Sequence, residues 1–301
     1  QAWSPEVIYA HSPELAATAR FILPGTPCVL HLHGVTNPLI HSRHSWARNL
    51  GGPTLYECLY RFAAKRSAMI LISSSKTDRQ GLCERFAIPH SRTRLVPTAV
   101  DPRIFWSRPD AESLCTHPSP RFRFVAACRL SRVKQLHLAI EAFAALKQIY
   151  PDASLVIAGD GEERSNLEIL ARKRITDNSV NFLGEVDRTE VAALLRTSVA
   201  LLMPSAAEGF PMAAIESLAS GTPVICSSTG GLTDLVRDGI NGYFVDPSSP
   251  TSFAATLKRA IEDFPQLGRA CVDSAQQYSI DRVGPLVEEA LVQSSGRSTS
   301  H

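Results

Sequence analysis

A chain of 301 residues, against about 150 per domain, has room for two compact domains or one large one. Hydrophobic residues make up 44% and charged residues 20%, the balance of a globular chain that buries a sizeable core, which excludes a miniprotein or a disordered tail. Lys plus Arg number 31 against 29 for Asp plus Glu, a net charge of +2, so no overall electrostatic drive toward nucleic acid exists and none is expected as a partner.

Short apolar runs of strand length alternate with segments of helical period along most of the chain, the pattern of βα units in a parallel sheet. The first set predicts strands at Val7–Ala10, Cys28–His33, Ala68–Ser73 and Arg94–Val96, with helices near Pro13–Leu23, Pro53–Arg66 and Ser75–Phe86. Four strands make a thin, open domain. Pro97 to Pro120 carries five prolines (Pro97, Pro102, Pro109, Pro118, Pro120) and loses periodicity, as a connection between domains should. A second, fuller set predicts six strands: Phe122–Cys128, Ser154–Ala158, Ser179–Leu183, Val199–Met203, Pro223–Cys226 and Gly242–Val245. Their cores are continuous apolar runs such as Leu155-Val156-Ile157-Ala158, expected where helices cover both faces of a sheet. Two more helices are expected near Pro265–Tyr278 and Asp281–Gln293, then a mobile polar tail from Ser294 to His301. The fold class is α/β, with a partial amino-terminal domain at 1–105, a linker at 106–120, a doubly wound domain at 121–280 and a terminal helix and tail at 281–301.

The seven cysteines (Cys28, Cys58, Cys83, Cys115, Cys128, Cys226, Cys271) are odd in number, scattered and never in a C-x-x-C pair, which reads as reduced thiols in a cytoplasmic protein. The longest apolar run, Val191–Met203, is interrupted by Arg196 and falls short of the roughly 18 residues of a membrane helix. Gln1-Ala2-Trp3-Ser4-Pro5 has neither the basic stretch nor the apolar core of a secretory signal. The lack of an initiating Met reads as a fragment.

In a doubly wound sheet ligands bind beyond the carboxyl ends of the strands, so the turns after each strand are the first places for chemistry. After Val199–Met203 the loop Pro204 to Pro211 delivers Glu208 beside a helix with Pro211 in its first turn and Gly221 at its stop. Within that helix Glu216 is the one charge between Phe210 and Gly221, set among Met212, Ala213, Ala214, Ile215, Leu218 and Ala219. A lone carboxylate in such company calls for a partner or a ligand, although it could also face water. The next strand ends in Cys226-Ser227-Ser228-Thr229-Gly230-Gly231, and a Gly pair opening a helix lets backbone N–H groups approach an anion. After the first strand of the set, Arg129 and Lys134 lie in a loop leading into a helix, a combination suited to a diphosphate. Each of these signals is weak alone; the combination is informative. In the first set, Val29, His31 and His33 share one strand face, with His33 at the strand end and His31, His41 and His44 as competing histidines; no metal-ligand spacing links them.

The run Glu208-Gly209-Phe210-Pro211-Met212-Ala213-Ala214-Ile215-Glu216 resembles the E-x7-E signature of the retaining glycosyltransferases of family 4, flanked by Pro204-Ser205 and Gly221-Thr222-Pro223-Val224-Ile225. Leu155–Gly161, Val180–Gly184, the Gly230-Gly231 turn and Asp238-Gly239-Ile240-Asn241-Gly242 fall in that family's order and spacing. The resemblance is strong over Arg121–Pro247 and weaker at Val7–His11, Cys28–Gly34 and Val96–Phe105. It implies a GT-B architecture of two Rossmann-like doubly wound domains, the amino-terminal one incomplete here. The donor would be a nucleotide-diphosphate sugar, held mostly by the carboxyl-terminal domain. Arg129 and Lys134 would neutralise its diphosphate as negative charge develops on the leaving group. Glu216 would accept from the nucleotide ribose, and Glu208 with Gly209, Phe210, Pro211 and Met212 would hold the sugar. The base would sit near Leu183–Asp187, a stretch that includes Gly184 and Val186, with Gly230 and Gly231 nearby, and His33 resembles the family's amino-domain histidine near the sugar. The resemblance implies a retaining, front-face hexosyl transfer to a saccharide, lipid or small-molecule acceptor, with no metal and no cofactor beyond the co-substrate; no D-x-D pair occurs. Peripheral contact with an inner membrane face stays open.

Departures from the family pattern are Cys128 where Gly usually precedes the Arg, Gln135 where Gly often follows the Lys, and Asp234 where Glu is common after the Gly pair. Three rival readings compete. One is a nucleotide-sugar-binding module without catalysis, and another an epimerase on the same fold. The third, a nicotinamide-dependent enzyme, is disfavoured because Arg164 replaces the third Gly of G-x-G-x-x-G after Gly159-Asp160-Gly161, and Glu162 and Glu163 would repel a pyrophosphate.

Overall fold

In the computed structural model, residues 5–32, 58, 61–72, 76–106 and 122–296 are described, with the side chains of 77, 78 and 265 set aside. The chain divides into two units, residues 1–99 with 281–301, and residues 100–280.

In the first unit, alternation within two short strands builds both faces of a sheet. Strands β1 (Ile8–Ala10), β2 (Cys28–Leu32), β3 (Met69–Ile72) and β4 (Thr93–Leu95) form a parallel sheet in the order β1-β2-β3-β4, with Val29 opposite Met69 and Ile70 opposite Thr93. Cys28, Leu30, Leu32, Ile70 and Ile72 point to one face. There they meet Ala16 of α1 (Pro13–Ile22) and Leu82 and Phe86 of α2 (Lys76–Phe86). Ser12 caps α1 by accepting from the Leu15 N–H, and Pro13 stands at its first position. Val29, Met69, Leu71 and Val96 form the other face, packed against Val283 and Ala290.

The second unit opens with the short helix α3 (Pro102–Phe105), capped by Asp101. Its six strands are β5 (Phe122–Ala127), β6 (Ala153–Ala158), β7 (Val180–Gly184), β8 (Ala200–Met203), β9 (Val224–Ser227) and β10 (Gly242–Val245). All pairings are parallel, in the order β10-β9-β8-β5-β6-β7. Helices α4 (Leu136–Lys147), α5 (Arg164–Arg174), α6 (Arg188–Arg196), α7 (Met212–Ala219) and the single-turn α8 (Leu232–Leu235) connect them. The strand cores are buried on both faces except in the edge strand β7, where Asn181 and Leu183 are exposed, and Phe124 stands edge-on to Phe143 of α4 at 6.4 Å between centroids. Two long helices, α9 (Pro250–Ala275) and α10 (Ile280–Ser295), follow.

The predicted strands stand within a residue of the observed ones at each end. Three expectations change. The break between units falls after Ala99, not at 106, because Val100 and Phe105 join the core of the second unit. The terminal helix belongs to the amino-terminal unit, whose open sheet face it covers, and it extends through Ser294 and Ser295 of the expected tail. The helix expected from Pro265 begins at Pro250, where Ser249 Oγ accepts from the Ser252 N–H. Residues 106–120 fall outside the described residues except for Trp106, as do His33 and half of the expected helix at Pro53–Arg66, whose residues 58 and 61–66 are helical.

Candidate functional site

The strand order of the second unit reverses at β5, which has β8 on one side and β6 on the other; crevices at such switch points are where parallel sheets bind ligands. A cavity of about 660 Å³ opens there, lined by Ala127, Cys128 and Arg129 after β5, Ala158 to Gly161 after β6, Glu185 and Val186 after β7, Val191, and Glu216 on α7.

Two of these turns are zipped together through backbone. The Cys128 N–H donates to the Ala158 carbonyl at 3.1 Å, and the Leu130 N–H to Asp160 at 2.8 Å. Gly159, at φ +126°, passes so close that a Cβ would lie 2.0 Å from the Cys128 carbonyl oxygen, so only glycine fits. Burial pushes the Cys128 thiol up to about 11, keeping it protonated at neutral pH. The same loop ends at Gln135, held at φ +48°, a left-handed conformation that costs a side-chain-bearing residue about 1–2 kcal/mol. That strain is the physical reason a glycine would suit this position.

The β5 loop also meets the β8 loop. The Ala206 N–H donates to the Val133 carbonyl at 2.8 Å. Lys134 Nζ lies 2.6 Å from Glu208 Oε1, which Ser205 Oγ reaches at 2.7 Å. The Glu208 and Lys134 side chains are 7% and 21% exposed, so two ions taken largely out of water compensate each other. Arg129 is solvent-facing instead, 3.7 Å from Glu162 Oε2. Gly230 and Gly231 pack against the same loop: the Gly231 N–H donates to the Glu208 carbonyl at 3.3 Å, and Cβ atoms on the pair would lie 1.8 Å and 2.3 Å from the carbonyl oxygens of Glu208 and Gly209. The expectation that this pair turns its N–H groups to an anion is therefore corrected for Gly231, whose donor is already used. Pro211 is the N-cap residue rather than the first helical residue; Phe210 and Met212 pack against the core, with the Phe210 ring edge-on to Tyr278 at 6.4 Å.

Glu216 is not turned to water. Its side chain is 14% exposed, and its Oε1 accepts from Arg188 Nη2 at 2.9 Å. Burial raises its carboxyl above the ordinary value, and the charge and hydrogen bond of Arg188 oppose that shift in part. Gly184, at φ +78°, closes β7 with its carbonyl accepting from the Gly159 N–H at 2.6 Å. Sequence reasoning brought Arg129, Glu216 and Val186 to one cavity and Lys134, Glu208, Gly209, Gly230 and Gly231 to the adjoining loops. It missed Arg188 and Ser205. The isolated Glu216 was itself the signal for a partner, but nothing in the spacing pointed to a residue 28 positions away. Among the described residues, no cluster of three or more His, Cys, Asp or Glu is placed to hold a metal ion, and no helix is long and apolar enough to cross a membrane.

The family profile of the glycosyl transferases group 1 matches residues 116–278, more than half of the chain, and that of glycosyltransferase family 4 matches residues 1–104. The chain is 28% identical over 268 residues to a glycogen synthase of Mycobacterium tuberculosis, covering 87% of this chain and 62% of that protein. It is 30% identical over 274 residues to a D-inositol 3-phosphate glycosyltransferase of Salinispora tropica, covering 81% and 57%. The chain thus spans about three fifths of the length of these curated relatives. Among solved structures it is similar to Anabaena HepE in complex with UDP-glucose, with a TM-score of 0.77 at 22% identity over 96% of this chain and 79% of that one. It is also similar to the sucrose-phosphate synthase of Thermosynechococcus elongatus, with a TM-score of 0.78 at 20% identity over 96% and 73%. Those likenesses show the fold, two Rossmann-like units of GT-B type. The chain belongs to the glycosyl transferases group 1 family.

Proposed function

We propose that the chain transfers a hexosyl group from a nucleotide-diphosphate sugar to a saccharide, lipid or small-molecule acceptor, with retention of anomeric configuration and without a metal. The observation that carries this reading is the convergence of Lys134, Ser205 and Glu208 beside a cavity that holds Glu216 and Arg129. Solved relatives in complex with UDP and UDP-glucose support the choice of donor class.

In this reading the nucleotide lies in the cavity with its base toward Val186 and its ribose hydroxyls on Glu216. The diphosphate meets Lys134 and Arg129, and the hexose faces Glu208 and the backbone of Gly209 to Pro211. Donor binding exchanges the Lys134–Glu208 pair for Lys134–phosphate and Glu208–hydroxyl contacts, so neither ion is left uncompensated. The bond between the anomeric carbon and the diphosphate oxygen breaks, and the diphosphate leaves with the electron pair. The acceptor oxygen bonds to the same face of that carbon, and its proton passes to the leaving phosphate. Lys134 and Arg129 stabilise the charge that develops there.

The test is calorimetric binding of UDP-, GDP-, ADP- and TDP-sugars to the chain and to its Glu216→Ala and Lys134→Ala variants. One nucleotide class is expected to bind, and each substitution to weaken it by roughly tenfold or more, the scale of a lost charge-assisted hydrogen bond. Turnover in the presence of a chelator, with the anomeric configuration of the product read by NMR, checks retention and metal independence. Folded protein that binds none of the four classes overturns the reading.

A further inference from the structure

We propose that Arg188 is the positioning residue of the nucleotide subsite: laid over the Phe105 ring and bonded to Glu216 Oε1, it aims that carboxylate, with Oε2 left for the hydroxyls of a bound ribose. The inference rests on the donor-site reading above and adds to it a residue outside the loop and helix that carry the two glutamates.

The geometry is built from several directions. Arg188 is the first residue of α6, directly after Asp187, which caps that helix by accepting from the Thr189 and Glu190 N–H groups, both at 2.8 Å. Its guanidinium stands 5.2 Å from the centroid of the Phe105 ring, a cation–π distance, and its Nη2 is 2.9 Å from Glu216 Oε1. The Arg188 side chain is 57% exposed and would be free to swing without that platform. Phe105 is fully buried and tied down through its backbone. Its carbonyl accepts from Ser220 Oγ at 3.1 Å, and the Ile104 carbonyl from Arg196 Nη1 at 2.9 Å. A short helix at the start of this unit thereby orients a carboxylate on α7 through the side chain of α6.

The pairing has a chemical purpose. Ribose hydroxyls donate, and an ionised carboxylate accepts on both oxygens, whereas a protonated one gives up part of that capacity. Burial works against the ionised form of Glu216, and Arg188 works for it. Arg129 and Cys128 at the end of β5, Asp160 after β6 and Glu185 after β7 line the same cavity, and Glu190 and Arg196 are carried on α6 itself. Beyond them, Asp101 at the head of α3 is bridged to Arg103 and also feels Arg188. The working form of Glu216 is the ionised one. Binding is therefore retained above its midpoint and lost as pH falls through it, and Arg188→Ala moves that midpoint upward.

The test measures the affinity of UDP, GDP and ADP for the full chain between about pH 5 and about pH 8, together with the titration of the Glu216 carboxyl by carbon NMR. Arg188→Ala is expected to weaken the nucleotide that wild type binds by roughly tenfold at neutral pH, less at higher pH, and to raise the Glu216 midpoint. Arg188→Lys, which restores the charge without the planar fork, is expected to return most of the midpoint but not all of the affinity. In a Glu216→Ala background, which leaves no side chain to position, Arg188→Ala should add nothing. Weakening by the same factor at every pH, or an unmoved Glu216 titration, overturns the proposal. Failure of wild type to bind any of the three nucleotides overturns the donor-site reading; the carboxyl titration still reports on the Arg188–Glu216 coupling, and an unmoved midpoint overturns that too.

Discussion

The carbonyl oxygen of Glu208 occupies the place where a side chain at residue 230 would begin. Gly230 sits at φ +49°, and its missing Cβ would stand 1.8 Å from that oxygen. Gly230→Ala must therefore push the Glu208 loop away or rebuild the turn, and the backbone term alone is worth about 1–3 kcal/mol. The expected result is a lower Tm together with weakened donor binding, because the displaced loop carries one half of the Lys134–Glu208 pair. Gly25→Ala is the control: nothing lies within 4 Å of its position, and its Tm should stay at the wild-type value. At this scale, the chemistry was legible wherever residues are consecutive. Glu208 and Glu216 stand on one loop and helix with seven residues between them, and the spacing alone marks them. Pairings that depend on three-dimensional geometry were not legible. Ser205 reaches Glu208 through the curl of one loop, and Arg188 reaches Glu216 from another helix, a distance that exists only after the sheet has formed.

Helix α6 lines the cavity with Val191 and also serves the site through the side chain at its first position. Asp187 and Glu190 form a reciprocal cap, the Glu190 side chain accepting from the Asp187 N–H at 3.1 Å, which fixes the first turn and with it the root of Arg188. Asp187→Ala should cost about 1 kcal/mol of stability and should also weaken nucleotide binding, since the frayed turn no longer aims the guanidinium at Glu216. Asp187→Asn keeps a capping oxygen and should restore most of both. Thermal unfolding and calorimetry on the two variants separate these outcomes, and unchanged affinity in a destabilised Asp187→Ala would detach the cap from the site. The elements themselves were legible because most strands are buried on two faces, which turns them into apolar runs bounded by glycine and polar turns. Where one signal occurs twice the reading slipped. Pro250 and Pro265 both look like helix starts, and only the first is preceded by a serine that caps.

At the scale of the whole molecule, the chain's last helix completes its first unit. One face of the β1–β4 sheet presents Val29, Met69, Leu71 and Val96, and α10 covers it with Val283 and Ala290. At the margin of that contact, Arg94 reaches Glu289 at 2.9 Å and Gln293 at 2.7 Å. Linear reading assigned this helix to its own terminal segment because its partners lie some 200 positions earlier, a separation that no local pattern reports. The exposed ion pair contributes little; the apolar cover carries the interaction. Burying a side chain of this size is worth about 1.5–3 kcal/mol, so uncovering four removes about 6–12 kcal/mol, comparable to the total stability of an ordinary domain. Deleting residues 280–301 should therefore loosen residues 5–96, seen as rapid proteolysis and loss of amide-exchange protection in β2 and β3. The second unit retains its own core of Phe124, Phe143 and Phe253. Nucleotide affinity of the shortened chain should stay within about threefold of wild type, less than the tenfold that 1.4 kcal/mol represents. Val283→Asp in the full chain places a charge in the same contact and should reproduce the effect. Protection of β2 and β3 that survives both changes would show that the sheet holds its structure without this helix.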